Sequence, residues 1–182
     1  MRHHQVPQET AVFSSFSLMK VFIGVVGLFA TSQVAIPLQP VPMTFQTFSM
    51  LLIGLTYRPS EAFFSFLGWL FLGALGFPVF ANYLGGFQLL LGPTGGYLLG
   101  LWAAAVAMAF FCEKIKIKNF KTLTFIACIG QAILFGLGVS RLSCFLGWSQ
   151  AFATGLAPFI LWNPLKTGLA VLCARGLLLK RS

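Results

Sequence analysis

Apolar residues fill three long stretches of the chain without a single charged side chain. These stretches cover residues 21–57, 62–112 and 122–140. A helix that crosses the hydrocarbon core of a bilayer needs roughly 20 consecutive, mostly apolar residues. The runs are continuous, whereas the strands of a membrane β-barrel alternate between apolar and polar positions. The pattern therefore predicts helices in lipid, where each helix satisfies its own backbone hydrogen bonds.

Breaks in the apolar pattern divide the chain into about six predicted membrane helices. A proline-rich segment, 37–42, ends the first helix, because proline interrupts regular helix and restricts the residue before it. The last apolar region is interrupted by Pro158, and then Asn163-Pro164 predicts the N-cap and first residue of the final helix. The predicted helices cover residues 18–36, 46–57, 61–77, 93–112, 122–139 and 164–179.

The few charges are mostly basic and are unevenly placed. The 182 residues include 12 Lys and Arg against 3 Asp and Glu, which gives a formal net charge of +9. Basic residues lie at every second connection, as they do in cytoplasmic loops. We therefore expect an all-α membrane protein with a cytoplasmic tail, 1–17, one transmembrane domain, 18–182, and both termini in the cytoplasm. The loops 37–45, 78–92 and 142–163 then face outward.

The chain carries few groups for catalysis or for metal binding. Its acidic residues are glutamates only, which leaves little capacity for acid–base chemistry. The Walker spacing of glycines before a Lys-Ser or Lys-Thr pair is absent, so no ATP site is predicted. The 4 cysteines are scattered, without Cys-x-x-Cys or metal-ligand spacing. We expect no enzymatic activity, no metal site and no cofactor.

Two cations depart from the basic pattern. Arg141 lies at the outer end of the fifth predicted helix, and Lys166 lies in the first turn of the sixth. Each side chain either snorkels to the lipid headgroups or marks a substrate path. Lys166 also stands at the positive end of a helix dipole, an arrangement that makes sense when an anion joins it.

A glycine-dense segment, 85–97, follows Asn82 and Tyr83. Its helical glycines favour close helix packing. Its loop glycines, including Gly86, are more typical of a lid or of backbone that approaches a ligand.

One face of the first predicted helix carries small side chains. Gly24, Gly27 and Thr31 lie on it, and Gly27 and Thr31 are spaced as a helix-contact surface requires. This face serves either internal packing or contact with a partner protein.

Three segments together resemble the BioY family, the biotin-specific membrane subunits (S-components) of energy-coupling-factor vitamin transporters. Their order, spacing and loop positions match the family over about residues 24–172. The segments are IPLQPVPMTFQT at 36–47, LGALGFPVFA at 72–81, and GG at 85–86 followed by LGPTGGYLLG at 91–100.

The resemblance implies a six-helix S-component bundle, with a biotin pocket near the outer face and a partner surface on the first helix. The implied partners are a transmembrane coupling subunit and ATPase subunits, and the implied location is the inner (plasma) membrane of a bacterium. The sixth helix of the family typically reads Pro-Gly-Asp-x-x-Lys. This chain keeps the lysine as Lys166 and has Asn163 in place of the acid. Trp69 stands where the family often has tyrosine.

Biotin combines a neutral ureido ring, an apolar bicycle and a carboxylate, so its site needs amide-type groups, aromatic walls and one cation. Trp69 is the wall candidate, and Lys166, followed by Arg141, is the candidate for the carboxylate. Two alternatives stay open, namely an S-component for another small vitamin and a structural membrane protein without transport activity. The sequence also leaves open whether the chain works alone or with an ATP-driven module. The polar candidates are Thr44, Gln46, Asn82, Thr94, Tyr97 and Asn163.

Overall fold

The computed structural model describes residues 15–115 and 119–179. Most of the expected cytoplasmic tail falls on residues 1–14 and so lies outside the described residues. Within them the chain is almost entirely helical, as the apolar runs predict. The elements are α1 (Ser15–Gln33), β1 (Ala35–Ile36), β2 (Met43–Thr44), α2 (Gln46–Thr56), α3 (Pro59–Ala74), a 3-10 turn (Ala81–Tyr83), α4 (Phe87–Leu91), α5 (Gly95–Lys114), α6 (Phe120–Leu146), α7 (Trp148–Gly155) and α8 (Ala157–Leu179).

Three helical stretches of the described chain are long and apolar enough to cross a membrane. They are Gly95–Lys114, Phe120–Leu146 and the joined Trp148–Leu179. Shorter apolar helices lie at Ser17–Gln33 and Gln46–Thr56. Large apolar side chains stay exposed on the outside of the bundle, such as Phe22 at 68% and Leu161 at 79%. In lipid this exposure is favourable, because the surrounding acyl chains are themselves apolar.

The proline-rich segment forms a small hairpin that the apolar pattern did not predict. α1 ends at Gln33, earlier than the predicted residue 36, and β1 pairs antiparallel with β2. The register places Ala35 opposite Thr44 and Ile36 opposite Met43. The prolines therefore lie in the loop between two very short strands, where a missing N–H costs no ladder hydrogen bond.

The largest departure from the predicted helices concerns the start of α8. The sequence predicted a helix start at Asn163-Pro164. This prediction was wrong, because Pro164 lies inside α8. The first-turn proline is instead Pro158, the second residue of α8. Buried side chains at Phe159, Asn163 and Thr167 continue through the proline at a spacing of one turn. Packing of this face holds the helix together where local preference alone predicts a break.

α6 also extends beyond its predicted end at 139. Arg141 lies within the helix, and Gly147, whose φ is 79°, ends it. A polar side chain beyond residue 139 bonds to the helix itself, since the Ser143 hydroxyl donates to the Ser140 carbonyl over 2.8 Å. The prediction that residues 142–163 form a loop was therefore wrong, because the end of α6, the short α7 and the start of α8 occupy this range.

The most extensive helix contact joins α5 and α6, and small residues make the close approach possible. A Cβ atom on Gly100 would come within 2.9 Å of the Leu134 carbonyl oxygen. One on Gly96 would collide with the Leu137 carbonyl and with the Arg141 side chain. Glycines at such positions let two membrane helices pack backbone to backbone.

An ion pair ties α1 to α3 at one end of the bundle. The Lys20 amino group lies 2.8 Å from Glu61 Oε1, and the Glu61 side chain is only 3% exposed. The Arg58 backbone N–H donates to Glu61 Oε2 over 2.9 Å, which caps the first turn of α3. A buried carboxylate needs a charged partner, so Lys20 and Glu61 hold their helices in a fixed register.

Candidate functional site

A cavity of about 310 Å³ lies between the hairpin loop and the helices α2, α5, α6 and α8. Its size falls at the lower end of the range for small-molecule sites, and most of its lining is apolar. The hairpin loop and the turn at residues 80–82 cover it from one side. The lining residues are Pro37, Leu38, Gln39, Pro40, Val41, Pro42, Thr44, Gln46, Thr47, Phe80, Ala81, Asn82, Leu84, Leu89, Pro93, Thr94, Tyr97, Leu98, Leu101, Leu134, Phe135 and Phe159.

Aromatic rings form one wall of the cavity. Tyr97 and Phe159 stack with ring centroids 6.4 Å apart, and Phe135 tilts against Phe159 at 5.5 Å. The Tyr97 hydroxyl donates to the Gly155 carbonyl over 2.9 Å, so this residue offers the cavity its ring face. Because α5, α6 and α8 each supply one of these rings, the wall depends on the packing of three helices. Such a wall suits a flat or bicyclic apolar ligand.

The polar end of the cavity contains an amide without a partner. Gln46, the first residue of α2, is 3% exposed, and its Nε2 has no hydrogen-bond acceptor among the described residues. Its Oε1 accepts a long hydrogen bond of 3.4 Å from the Thr44 hydroxyl. A buried N–H donor without a partner is costly. It can be satisfied by a ligand that brings an acceptor into the cavity.

A second amide without a full set of partners lies one helical turn below Phe159. Asn163 Nδ2 donates to Gln131 Oε1 over 3.1 Å, whereas Asn163 Oδ1 is buried and has no donor among the described residues. Thr167 completes this small network, since its hydroxyl accepts from Gln131 Nε2 over 2.8 Å. Asn163 does not line the cavity itself, but it shares a helix face with Phe159, which does.

The turn over the cavity is fastened to the end of α1. The Gln33 side chain donates to the Phe80 carbonyl over 3.1 Å and accepts from the Tyr83 backbone N–H over 3.0 Å. Ser32 donates to the Val79 carbonyl over 2.8 Å. Asn82 lines the cavity at this turn and adopts a left-handed φ of 58°. Asparagine tolerates this conformation better than most residues do.

Neither of the two cations singled out from the sequence lines this cavity, and all of its lining residues are uncharged. The Lys166 amino group donates to the Thr44 carbonyl over 2.8 Å and lies 5.9 Å from the centre of the Phe45 ring. Lys166 lines a second cavity, on the other side of Thr44. Arg141 donates to the Leu91 carbonyl and lies over the Phe145 ring at 5.2 Å.

Five of the residues predicted from the sequence for the binding site line the main cavity: Thr44, Gln46, Asn82, Thr94 and Tyr97. Trp69 is fully buried behind it, where its ring meets the edge of Phe80 at 5.0 Å and its Nε1 donates to the Val79 carbonyl over 3.0 Å. Outside the lining are Trp69, Tyr83, Gly86, Arg141, Asn163 and Lys166.

Gly86 and Tyr83 belong to the segment that follows the turn. Gly86 has a φ of 117°, a conformation that glycine adopts freely, and its N–H donates to the Gly73 carbonyl over 2.7 Å. Tyr83 is 68% exposed and also has a positive φ. Both residues shape the segment between α3 and α5, whose other residues include the cavity-lining Leu84 and Leu89.

Five further residues line the cavity but were not predicted from the sequence: the aromatic Phe80, Phe135 and Phe159, and the polar Gln39 and Thr47. Gln39 and Thr47 lie in the first of the three segments that carry the family resemblance, and that signal was available. The phenylalanines belong to an abundant class, 21 in the whole chain. Nothing in the local pattern separates the cavity-lining ones from those in the lipid.

The three residues predicted for a partner surface on α1 differ in their surroundings. A Cβ on Gly24 would collide with the Ser65 side chain of α3, whereas one on Gly27 would meet nothing within 4 Å. The Thr31 hydroxyl donates to the Gly27 carbonyl over 2.7 Å, and its oxygen lies 3.0 Å from the Ser49 hydroxyl of α2. Gly24 therefore packs internally, and Gly27 borders open space.

Comparisons with known proteins agree on one family. A family model described as "BioY family" matches residues 5–181. A probable biotin transporter BioY from Pyrococcus horikoshii is 35% identical to this chain, covering 88% of it and 94% of the relative. A protein of the same name from Rickettsia prowazekii is 34% identical and covers 79% of this chain and 73% of the relative. Among solved structures, the S-component for biotin from an ECF-type ABC transporter is similar, with a TM-score of 0.76 at 25% identity, over 90% of this chain and 88% of that one.

Proposed function

The chain belongs to the BioY family, and from this premise we propose that it is a multi-pass membrane protein that binds biotin in the main cavity and mediates its uptake. Relatives named as biotin transporters support the ligand. The chemistry of the cavity supports it independently. The aromatic wall suits the bicycle, and the amide end suits the ureido ring.

The observation that carries the proposal is the unpartnered amide N–H of Gln46. A ureido group presents a carbonyl acceptor between two N–H donors. Its oxygen can accept from Gln46 Nε2, which has no other partner. A ligand with this carbonyl relieves the desolvation cost of the buried Gln46 amide.

The carboxylate of biotin is expected at the mouth of the cavity, beside the exposed residues Gln39 and Asn82. An unpaired carboxylate would be costly inside a cavity that no cation lines. We therefore assign Lys166 a different role from the one expected from the sequence. Its amino group holds the Thr44 carbonyl and thereby positions the wall that separates the two cavities.

Calorimetry of the purified protein tests the proposed function directly. Biotin is expected to bind at one site per chain, and other small vitamins are expected not to bind under the same conditions. An S-component for another vitamin would give the opposite selectivity. A structural membrane protein would bind none of them.

Substituting glutamine for Lys166 tests the role of that residue. If it positions Thr44, Lys166→Gln should weaken the binding of biotin and of uncharged biotin amide to the same extent, by about fivefold for the loss of one hydrogen bond. Titrations of wild type and variant with both ligands measure this. If only the binding of biotin were weakened, and not that of the amide, Lys166 would be the partner of the biotin carboxylate, as was predicted from the sequence.

We further propose that the chain acts with a transmembrane coupling subunit and ATPase subunits in a bacterial plasma membrane. Six spans with cytoplasmic termini are supported by the basic connections. A surface for the coupling subunit is proposed on α1, where Phe22, Ile23 and Val26 are between 46% and 68% exposed beside Gly27. The absence of a Walker motif from the chain is the reason to expect an external source of energy.

A leucine at Gly27 is expected to reduce biotin uptake by cells several-fold while leaving biotin binding unchanged. The new side chain enters open space, so it does not disturb the bundle, but it would obstruct a helix that docks closely there. Uptake by cells and calorimetry of the purified variant provide the two readouts. Unchanged uptake would remove this face from the coupling surface, and lost binding would assign it to packing.

A further inference from the structure

The turn that covers the main cavity contains two consecutive residues with a left-handed backbone. Asn82 has a φ of 58° and Tyr83 has a φ of 57°. Asparagine visits this region because its short polar side chain can bond locally. Tyrosine is disfavoured there, because its Cβ comes too close to the following carbonyl oxygen. Such a conformation persists only where the surrounding structure enforces it, so the contacts of the turn identify what holds it.

The Gln33 side chain, on the last residue of α1, makes contacts at both ends of this turn. Its Nε2 donates to the Phe80 carbonyl over 3.1 Å, and its Oε1 accepts from the Tyr83 N–H over 3.0 Å. In an ordinary β-turn the carbonyl of one residue accepts from the N–H three residues later. Here both groups bond the Gln33 amide, which offers the same donor and acceptor as a peptide group. The side chain therefore acts as a clamp across the turn.

The segments on either side of the turn are anchored independently of Gln33. The Val79 carbonyl accepts from the Ser32 hydroxyl over 2.8 Å and from Trp69 Nε1 over 3.0 Å. On the other side, the Gly86 N–H donates to the Gly73 carbonyl over 2.7 Å. Loss of the Gln33 contacts would therefore release the turn between these anchors and leave the anchors themselves in place.

The turn between the anchors supplies a part of the cavity wall. Neither Gln33 nor Tyr83 lines the cavity. A change at Gln33 can therefore affect a bound ligand only through the position of the turn. The residues of this stretch that line the cavity are Phe80, Ala81, Asn82 and Leu84.

We infer that Gln33 is a positioning residue for ligand binding. Its amide keeps the turn in the left-handed conformation that covers the cavity, and it thereby slows the release of the bound ligand. This inference rests on the proposed function, because the ligand is taken to be biotin. Without the Gln33 amide, Tyr83 can return to a negative φ, and Asn82 then moves away from the cavity.

The rate at which biotin leaves the purified protein measures this role. Gln33→Leu should accelerate the release of bound, labelled biotin into an excess of unlabelled biotin roughly tenfold, since two hydrogen bonds that hold the turn are lost. Gln88→Leu is the matched control, because Gln88 is exposed in α4 and does not line the cavity. This variant should release biotin at the wild-type rate.

A glycine at residue 83 separates positioning of the turn from general support of the fold. Glycine adopts a positive φ freely, so a turn with Tyr83→Gly no longer needs to be enforced. In the double variant of Gln33→Leu with Tyr83→Gly, the release rate should return to within about threefold of wild type, because the conformational cost at residue 83 is gone. If Gln33 supported only the end of α1, a glycine in the turn would not restore the rate.

Hydrogen exchange in the ligand-free protein tests the clamp without biotin. The Phe80 N–H donates to the Leu84 carbonyl over 2.9 Å, and the Leu84 N–H donates to the Ala81 carbonyl over 3.2 Å. Both bonds depend on the closed turn, and neither involves Gln33 directly. Exchange of these two amides should be faster in Gln33→Leu and should slow again in the double variant.

Three results would overturn the inference. They are an unchanged release rate in Gln33→Leu, release that stays fast in the double variant, and unchanged exchange of the Phe80 and Leu84 amides in Gln33→Leu. A wild-type protein that does not bind biotin would contradict the proposed function instead. Hydrogen exchange would still decide in that case whether Gln33 holds the turn.

Discussion

Replacing Gln46 with leucine should weaken biotin binding roughly a hundredfold, because the ureido oxygen would then be buried without a donor. The ligand-free protein should not become less stable. Gln46 Nε2 has no partner in the structure, so removing it relieves a desolvation cost. This opposite behaviour of binding and stability distinguishes a ligand contact from a structural one.

Calorimetry with biotin and thermal unfolding of the ligand-free protein measure the two quantities. Gln150→Leu is the matched control, since Gln150 is exposed in α7 and does not line the cavity. It should leave both quantities unchanged. If Gln46→Leu lowers the unfolding temperature and binding together, Gln46 supports the fold, and the ureido group must bind elsewhere.

Introducing a single methyl group at Gly96 is expected to lower the unfolding temperature by roughly 5–10 °C. The new Cβ of Gly96→Ala would collide with the backbone of Leu137 and with Arg141, across the most extensive helix contact of the bundle. A backbone atom cannot move aside as the end of a flexible side chain can. α5 and α6 would therefore have to separate.

Gly136→Ala is the control for this variant, because a Cβ at that position of α6 would meet nothing within 4 Å. Alanine also has the higher helix propensity, so this variant should be as stable as wild type or slightly more stable. Thermal unfolding in detergent, followed by circular dichroism, compares the two. Equal unfolding temperatures would show that the α5–α6 contact can adjust without cost.

The helical architecture was predictable because the environment of the chain is nearly uniform. In lipid a long apolar run has few alternatives to helix, and each predicted helix overlaps a helix of the structure. The ends were less predictable. Pro164 would break an isolated helix, yet the buried face that passes through it keeps α8 continuous. Such packing is a property of the assembled bundle and leaves no signal at the proline itself.

Prediction of the site depended on what kind of group was involved. Polar residues such as Gln46 and Thr94 are rare in apolar segments, so their presence near loops was informative. The aromatic wall was not predictable, because Phe135 and Phe159 acquire their orientation only when α5, α6 and α8 pack together. The orientation of the Lys166 side chain was equally unpredictable. Because α8 begins earlier than predicted, Lys166 lies in the interior of the helix and not in its first turn.

The contacts at the two ends of α1 have a mechanical consequence. Lys20 fastens α1 to Glu61 at one end, and at the other Gln33 fastens it to the turn that covers the cavity. These contacts restrain α1 from sliding along its neighbours, so we expect it to move together with α3 and this turn. We then expect a displacement of its exposed face in the membrane to reach Phe80 and Tyr83.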